Sequence, residues 1–89
     1  MKEIHMFMFE SCPHCQNALK WMDELFKENP EYRNVPFKMT DELIEPEYAD
    51  GFDYYYVPTY YVDGEKLHEG VASLEIIRRV FDSAMGRDV

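Results

Sequence analysis

The chain has 89 residues, nine of them Lys or Arg and eighteen Asp or Glu, for a formal net charge of −9. That length suits a single domain over residues 1–89, because there is too little apolar volume to divide between two cores. The charge repels polyphosphates, which excludes nucleic acid as an expected partner, while 46% hydrophobic and 16% aromatic residues argue against a disordered chain.

Ile4, Met6 and Met8 alternate with His5, Phe7 and Phe9, so both faces of this first segment are apolar, the pattern of a central strand covered on two sides. The run is too short for the apolar stretch of a secretory leader, and no other run is long enough to span a membrane. A cytoplasmic monomer without membrane contact is the resulting expectation. From Pro13 to about Glu28, apolar residues at Cys15, Ala18, Leu19, Met22, Leu25 and Phe26 recur at helical spacing, and Asn29-Pro30 ends that helix. Residues 30–34 read as a loop, and Val35, Phe37 and Met39 as a second strand in which Pro36 suits a sheet edge. Strand, helix, strand implies a right-handed parallel crossover.

"TDELIEPEYADGFD", residues 40–53, starts like a helix with Thr40 or Asp41 able to cap it, but Pro46 and Gly51 keep it short or irregular. "VPTYYV" and "EKLHEG" flank Asp63-Gly64, a strong hairpin signal, so two antiparallel strands follow. Ser73 can cap a last helix carrying Leu74, Ile77, Val80, Phe81 and Ala84 and ending near Gly86. The order βαβαββα predicts an α/β domain, a four-stranded mixed sheet with helices on both faces.

The two cysteines stand three residues apart in Cys12-Pro13-His14-Cys15, and the pair is a structural staple, a metal clamp or a redox centre. A staple across so short a loop constrains the unfolded chain very little, and a reducing compartment disfavours it. Structural zinc wants four ligands, whereas only one cysteine pair is present, with His14 beside it and His5 or His68 elsewhere. No metal is therefore expected. As a redox centre the spacing makes sense. Cys12 at the start of the first helix lies where free N–H groups and the helix dipole favour a thiolate. Pro13 suits the first helical position, and Cys15 follows one turn later at the head of the apolar stripe. Cys12 is then exposed and attacking, and Cys15 shielded and resolving, with Pro13 and a charged His14 tuning the thiolate.

The CPHC after a first strand, Val57-Pro58-Thr59 opening a third strand and a hairpin before a last helix resemble the thioredoxin superfamily, and by length and order most resemble a dithiol glutaredoxin. The resemblance implies a thioredoxin-like fold and a thiol-disulfide oxidoreductase. It implies that Pro58 is cis and packs against the cysteines, that the backbone of Val57 meets the substrate, and that Thr59 and Gly70 belong to the same site. It also implies a protein or small-molecule disulfide as substrate, and glutathione or a thioredoxin-reductase-type donor as reductant. No tightly bound cofactor is expected, with glutathione as a co-substrate. The lysine that glutaredoxins usually carry before the motif is replaced by Phe9 and Glu10, and their Gly-Gly-acidic element by "EGVAS", so poor use of glutathione is expected. The alternatives are a glutaredoxin-like module binding metal or an iron-sulfur cluster bridged between two chains, and a non-catalytic adaptor of the same fold. Tyr54, Tyr55, Tyr56, Tyr60 and Tyr61 surround Pro58, and alternate ones are expected to fill the core.

Overall fold

Residues 1–87 are described from a computed structural model. In chain order it runs β1 (Ile4–Met8), α1 (Pro13–Glu28), a 3-10 turn (Pro30–Asn34), β2 (Phe37–Asp41), α2 (Pro46–Ala49), β3 (Thr59–Val62), β4 (Glu65–Glu69) and α3 (Leu74–Ala84). The strands form one mixed sheet in the order β2-β1-β3-β4, with β1 parallel to β2 and antiparallel to β3. β1 is thus interior, as its two apolar faces require.

Ile4, Met6 and Met8 of β1 and Tyr60 and Val62 of β3 join one buried cluster with Leu25 of α1 and Ile77 and Phe81 of α3. Full burial of each aliphatic or aromatic side chain here contributes about 1.5–3 kcal/mol. Phe7 and Tyr61 belong to a second cluster with Ala49, Phe52 and Tyr54. The Phe7 ring lies 4.6 Å from Phe52 and 4.9 Å from Tyr54. One face of the sheet therefore has two full helices, and the other has the single turn α2 and an aromatic segment. That segment is the reason so short a helix suffices: Phe52 and Tyr54 pack on Phe7 and Tyr61 and supply area that a longer helix would otherwise bury.

Local signals explain the ends of the elements. Asn29 leaves the helical region at φ −144°, ψ 92°, because Pro30 disfavours a helical residue before it. The segment expected as a loop is instead the 3-10 turn, pinned by Tyr32, whose hydroxyl donates to Asp82 Oδ1. Thr40 and Asp41 do not cap a helix; they finish β2, and Asp41 Oδ1 accepts the Leu43 N–H at 2.9 Å in the turn that follows. Asp63 and Gly64 have φ of 47° and 84°, the left-handed pair that a two-residue hairpin needs. Ser73 Oγ accepts the Ile76 N–H at 3.1 Å and caps α3.

The β3–β4 ladder contains one irregularity. Tyr60 pairs with His68 but Tyr61 with Lys66, which leaves Leu67 as an extra residue. Lys66 and Glu69, three apart, would face opposite sides of a regular strand. The extra residue puts them on the same side, opposite Tyr61 and Thr59.

Candidate active site

Cys12 is the N-cap of α1, and Pro13 takes the first helical position. The Cys12 Sγ accepts the Cys15 N–H at 3.3 Å, and its carbonyl accepts the Gln16 N–H at 2.9 Å. A sulfur therefore does the work usually done by a Ser or Asp oxygen at such a helix start. Both cysteines are free thiols. Contrary to the expectation of an exposed attacking cysteine, Cys12 is only 4% exposed, while Cys15 is fully buried. The reason is the cap itself, which turns the Cys12 sulfur in toward the helix instead of out to solvent. Burial pushes the Cys15 thiol up to about 12, with the Cys12 side chain adding to the effect and a hydrogen bond from the Phe9 backbone opposing it. Pro13 and His14 are exposed.

The Val57–Pro58 peptide bond is cis, Pro58 is fully buried, and Val57 packs against the cluster that contains both cysteines. Among the described residues neither the N–H nor the C=O of Val57 has a hydrogen-bond partner, so an edge of backbone is left open beside the cysteine site. The Thr59 side chain is buried, and its hydroxyl donates to the Tyr56 carbonyl. Gly70, at φ 95°, donates its N–H to the Pro58 carbonyl at 2.9 Å. That N–H is committed within the chain, and the Ile76 N–H at the start of α3 is likewise taken by Ser73. Tyr60 and Tyr61 are buried and Tyr54 is half-buried, whereas Tyr55 and Tyr56 are 86% and 70% exposed.

The other histidines are engaged elsewhere. His5 Nε2 lies 2.8 Å from Thr40 Oγ1, and His68 Nε2 lies 2.9 Å from the Val71 carbonyl. Among the described residues no three His, Cys, Asp or Glu side chains converge on a position that could hold a metal, and no helix is long and apolar enough to cross a membrane.

Glu69 is a residue that the sequence pattern did not single out. Its Oε2 accepts the N–H groups of both Tyr55 and Tyr56, and its Oε1 lies 2.8 Å from Lys66 Nζ. Lys66 also donates to the Asp53 carbonyl at 3.1 Å, as the Tyr61 hydroxyl does at 2.6 Å. The loop leading to Val57 is thus tied to β4 at two points. The Lys66 ammonium first, and then the two N–H groups, hold the Glu69 carboxyl down at about 2. Only the bulge at Leu67 brings the two side chains together, and nothing in the local sequence marks that bulge.

A family model described as thioredoxin domain matches residues 2–82. No curated protein sequence matches the chain. Among solved structures, the fold is similar to oxidised thioredoxin from Plasmodium falciparum, with 19% identity over 92% of this chain and 79% of that one and a TM-score of 0.69. It is similar to reduced desulfothioredoxin from Desulfovibrio vulgaris Hildenborough, with 26% identity over 92% of this chain and 80% of that one and a TM-score of 0.60. It is also similar to glutaredoxin 1 from Francisella tularensis, with 18% identity over 97% and 99% of the two chains and a TM-score of 0.53. The matches reach thioredoxins and a glutaredoxin alike, and do not single out the glutaredoxin subtype. A CXXC pair at the start of α1, a cis proline before β3 and a family match over residues 2–82 agree: the chain belongs to the thioredoxin domain family.

Proposed function

We propose that the protein is a thiol-disulfide oxidoreductase that reduces disulfides through the Cys12/Cys15 dithiol. The observation that carries this reading is the asymmetry of the pair: Cys12 caps a helix N-terminus with its sulfur against an N–H group, while Cys15 is buried and keeps its proton. A thiolate at that cap forms a charge-assisted hydrogen bond. Cys12 attacks one sulfur of the substrate disulfide, an S–S bond to Cys12 forms, and the substrate's other sulfur leaves as a thiolate that takes up a proton. Cys15 then gives up its proton and attacks Cys12, which releases the second substrate thiol and leaves a Cys12–Cys15 disulfide. Two electrons pass to the substrate, and an external thiol or dithiol donor restores the pair. Val57 offers its open backbone N–H and C=O to an extended substrate segment. His14 lies exposed between the two cysteines, at the face a substrate would approach.

Glutathione is a poor co-substrate on this reading. Its two carboxylates meet Glu10 where a lysine would serve, and the N–H groups of Gly70 and Ile76 are already occupied. The test is reduction of a generic protein disulfide such as insulin's, with a thioredoxin-reductase-type donor compared against glutathione with glutathione reductase. Turnover that needs both cysteines and prefers the first donor supports the reading; no turnover with either donor refutes it.

A further inference from the structure

Two clefts meet at Leu43. One, of ≈ 490 Å³, lies beside Ser11 and Gln16, the neighbours of Cys12 along the chain and one turn up α1, and carries the carboxylates of Glu10 and Asp41. The other, of ≈ 530 Å³, extends to Tyr54 and Tyr55, which lead to Val57, and carries Glu42, Asp50 and Asp53. Neither lining holds a Lys or Arg, and the sequence has none from residue 39 to 65 or from 3 to 19. Among the described residues none of these five carboxylates enters an ion pair. The same ground is apolar: Leu43 is 68% exposed, Ile44 74% and Tyr55 86%.

We propose that this double cleft docks a cationic, partly apolar polypeptide segment that flanks the substrate's disulfide. The proposal rests on the oxidoreductase reading and names its substrate class. Charge complementarity identifies the occupant, since five unneutralised carboxylates raise the local concentration of a positive partner and oppose a negative one. The apolar side chains between them would be left in water by a small amine or a simple cation, and an extended chain covers both clefts across Leu43. Two residues beyond Tyr55 in the chain, Val57 has a backbone N–H and C=O, unpaired among the described residues, with which an extended segment can pair.

The experiment mixes the pre-reduced protein with three disulfide-linked peptides of equal length whose flanks carry Lys and Arg, Ser and Thr, or Asp and Glu. The second-order rate of protein oxidation is read by mass spectrometry in a single turnover. At low salt the cationic peptide should react about tenfold faster than the anionic one, since several weak ion pairs and steering act together. In 0.5 M salt the ratio should fall below about threefold, because exposed charges are screened. The double variant Asp50→Asn/Asp53→Asn should lower the ratio of cationic to neutral rates. Glu24→Gln/Glu65→Gln, which removes the same formal charge away from the clefts, should leave that ratio in place. Equal rates for all three peptides would overturn the docking proposal while leaving the oxidoreductase reading intact, and so would equal effects of the two double variants. Failure to react with any peptide defeats the oxidoreductase reading itself, and the docking proposal with it.

Discussion

The backbone N–H of Cys15 donates to the sulfur of Cys12 across 3.3 Å. The two cysteines of one helical turn are thus joined through a main-chain group in the reduced state, one at the edge of the core and the other inside it. The helix start that caps on the Cys12 sulfur is thus closed by the backbone of the second cysteine.

Alkaline pH gives one readout of that asymmetry. Burial, with a contribution from the Cys12 side chain, moves the Cys15 thiol from 9.0 up to about 12. A thiol raised in this way holds its proton more tightly in the folded state, so its contribution to stability is complete below pH 9 and is lost as pH rises toward about 12. Denaturant titrations of the reduced protein across that window should show falling stability, with a shallower slope in Cys15→Ala. The tyrosines at positions 54 and 60, also raised by burial, leave a residual slope in both proteins. Equal slopes would contradict the burial of the Cys15 thiol.

The Glu69 tie predicts a local effect. In Glu69→Ala the amides of Tyr55 and Tyr56 should exchange with solvent at least about tenfold faster, because both lose their acceptor. Glu69→Gln keeps an oxygen acceptor and should restore part of the protection. Acid should reproduce the alanine effect. A carboxyl lowered from 4.5 to about 2 by Lys66 and the two N–H groups contributes its full stabilisation above pH 4.5, and loses it as pH falls through about 2. Unchanged exchange in the alanine variant would show that the loop is held by other contacts.

The proposed poor use of glutathione predicts an effect of charge at position 10. Glu10→Lys would place a cation in the cleft lined by Ser11 and Gln16, next to Cys12 in the chain, and on the proposed reading it would favour glutathione's carboxylates. The glutathione-dependent rate on a mixed disulfide should rise, by more at low salt than at high salt. Robust turnover by the unmodified protein, indifferent to this substitution, would contradict the electrostatic argument.

Much of this architecture is legible in the sequence where one residue type decides one geometry. The double-faced pattern of Ile4 to Phe9 gives a central strand, Asp63-Gly64 gives the hairpin turn, Ser73 caps α3, and CPHC sets the cysteines at a helix start. The cis bond at Pro58 follows from family resemblance and not from local chemistry. Three features were not legible. Thr40 and Asp41 have the composition of a helix cap, yet pairing with Phe7 and Met8 of β1 holds them in a strand, and a non-local partner outweighs a local preference. Cys12 is more buried than its place at a helix start suggests, because its own sulfur serves as the cap. Glu69 gains its role only from the extra residue at Leu67, and a bulge depends on how two strands meet, not on the composition of either one.

The division of labour between the cysteines is tested most directly by trapping. Cys15→Ser and Cys12→Ser, each pre-reduced, are mixed with an excess of a disulfide peptide and analysed by intact mass spectrometry without reductant. Cys15→Ser should accumulate a covalent adduct of one peptide half on Cys12, stable until a thiol is added, and Cys12→Ser should remain unmodified because its remaining thiol is buried and protonated. An adduct that forms faster on Cys12→Ser than on Cys15→Ser would reverse the assignment and make Cys15 the attacking thiol.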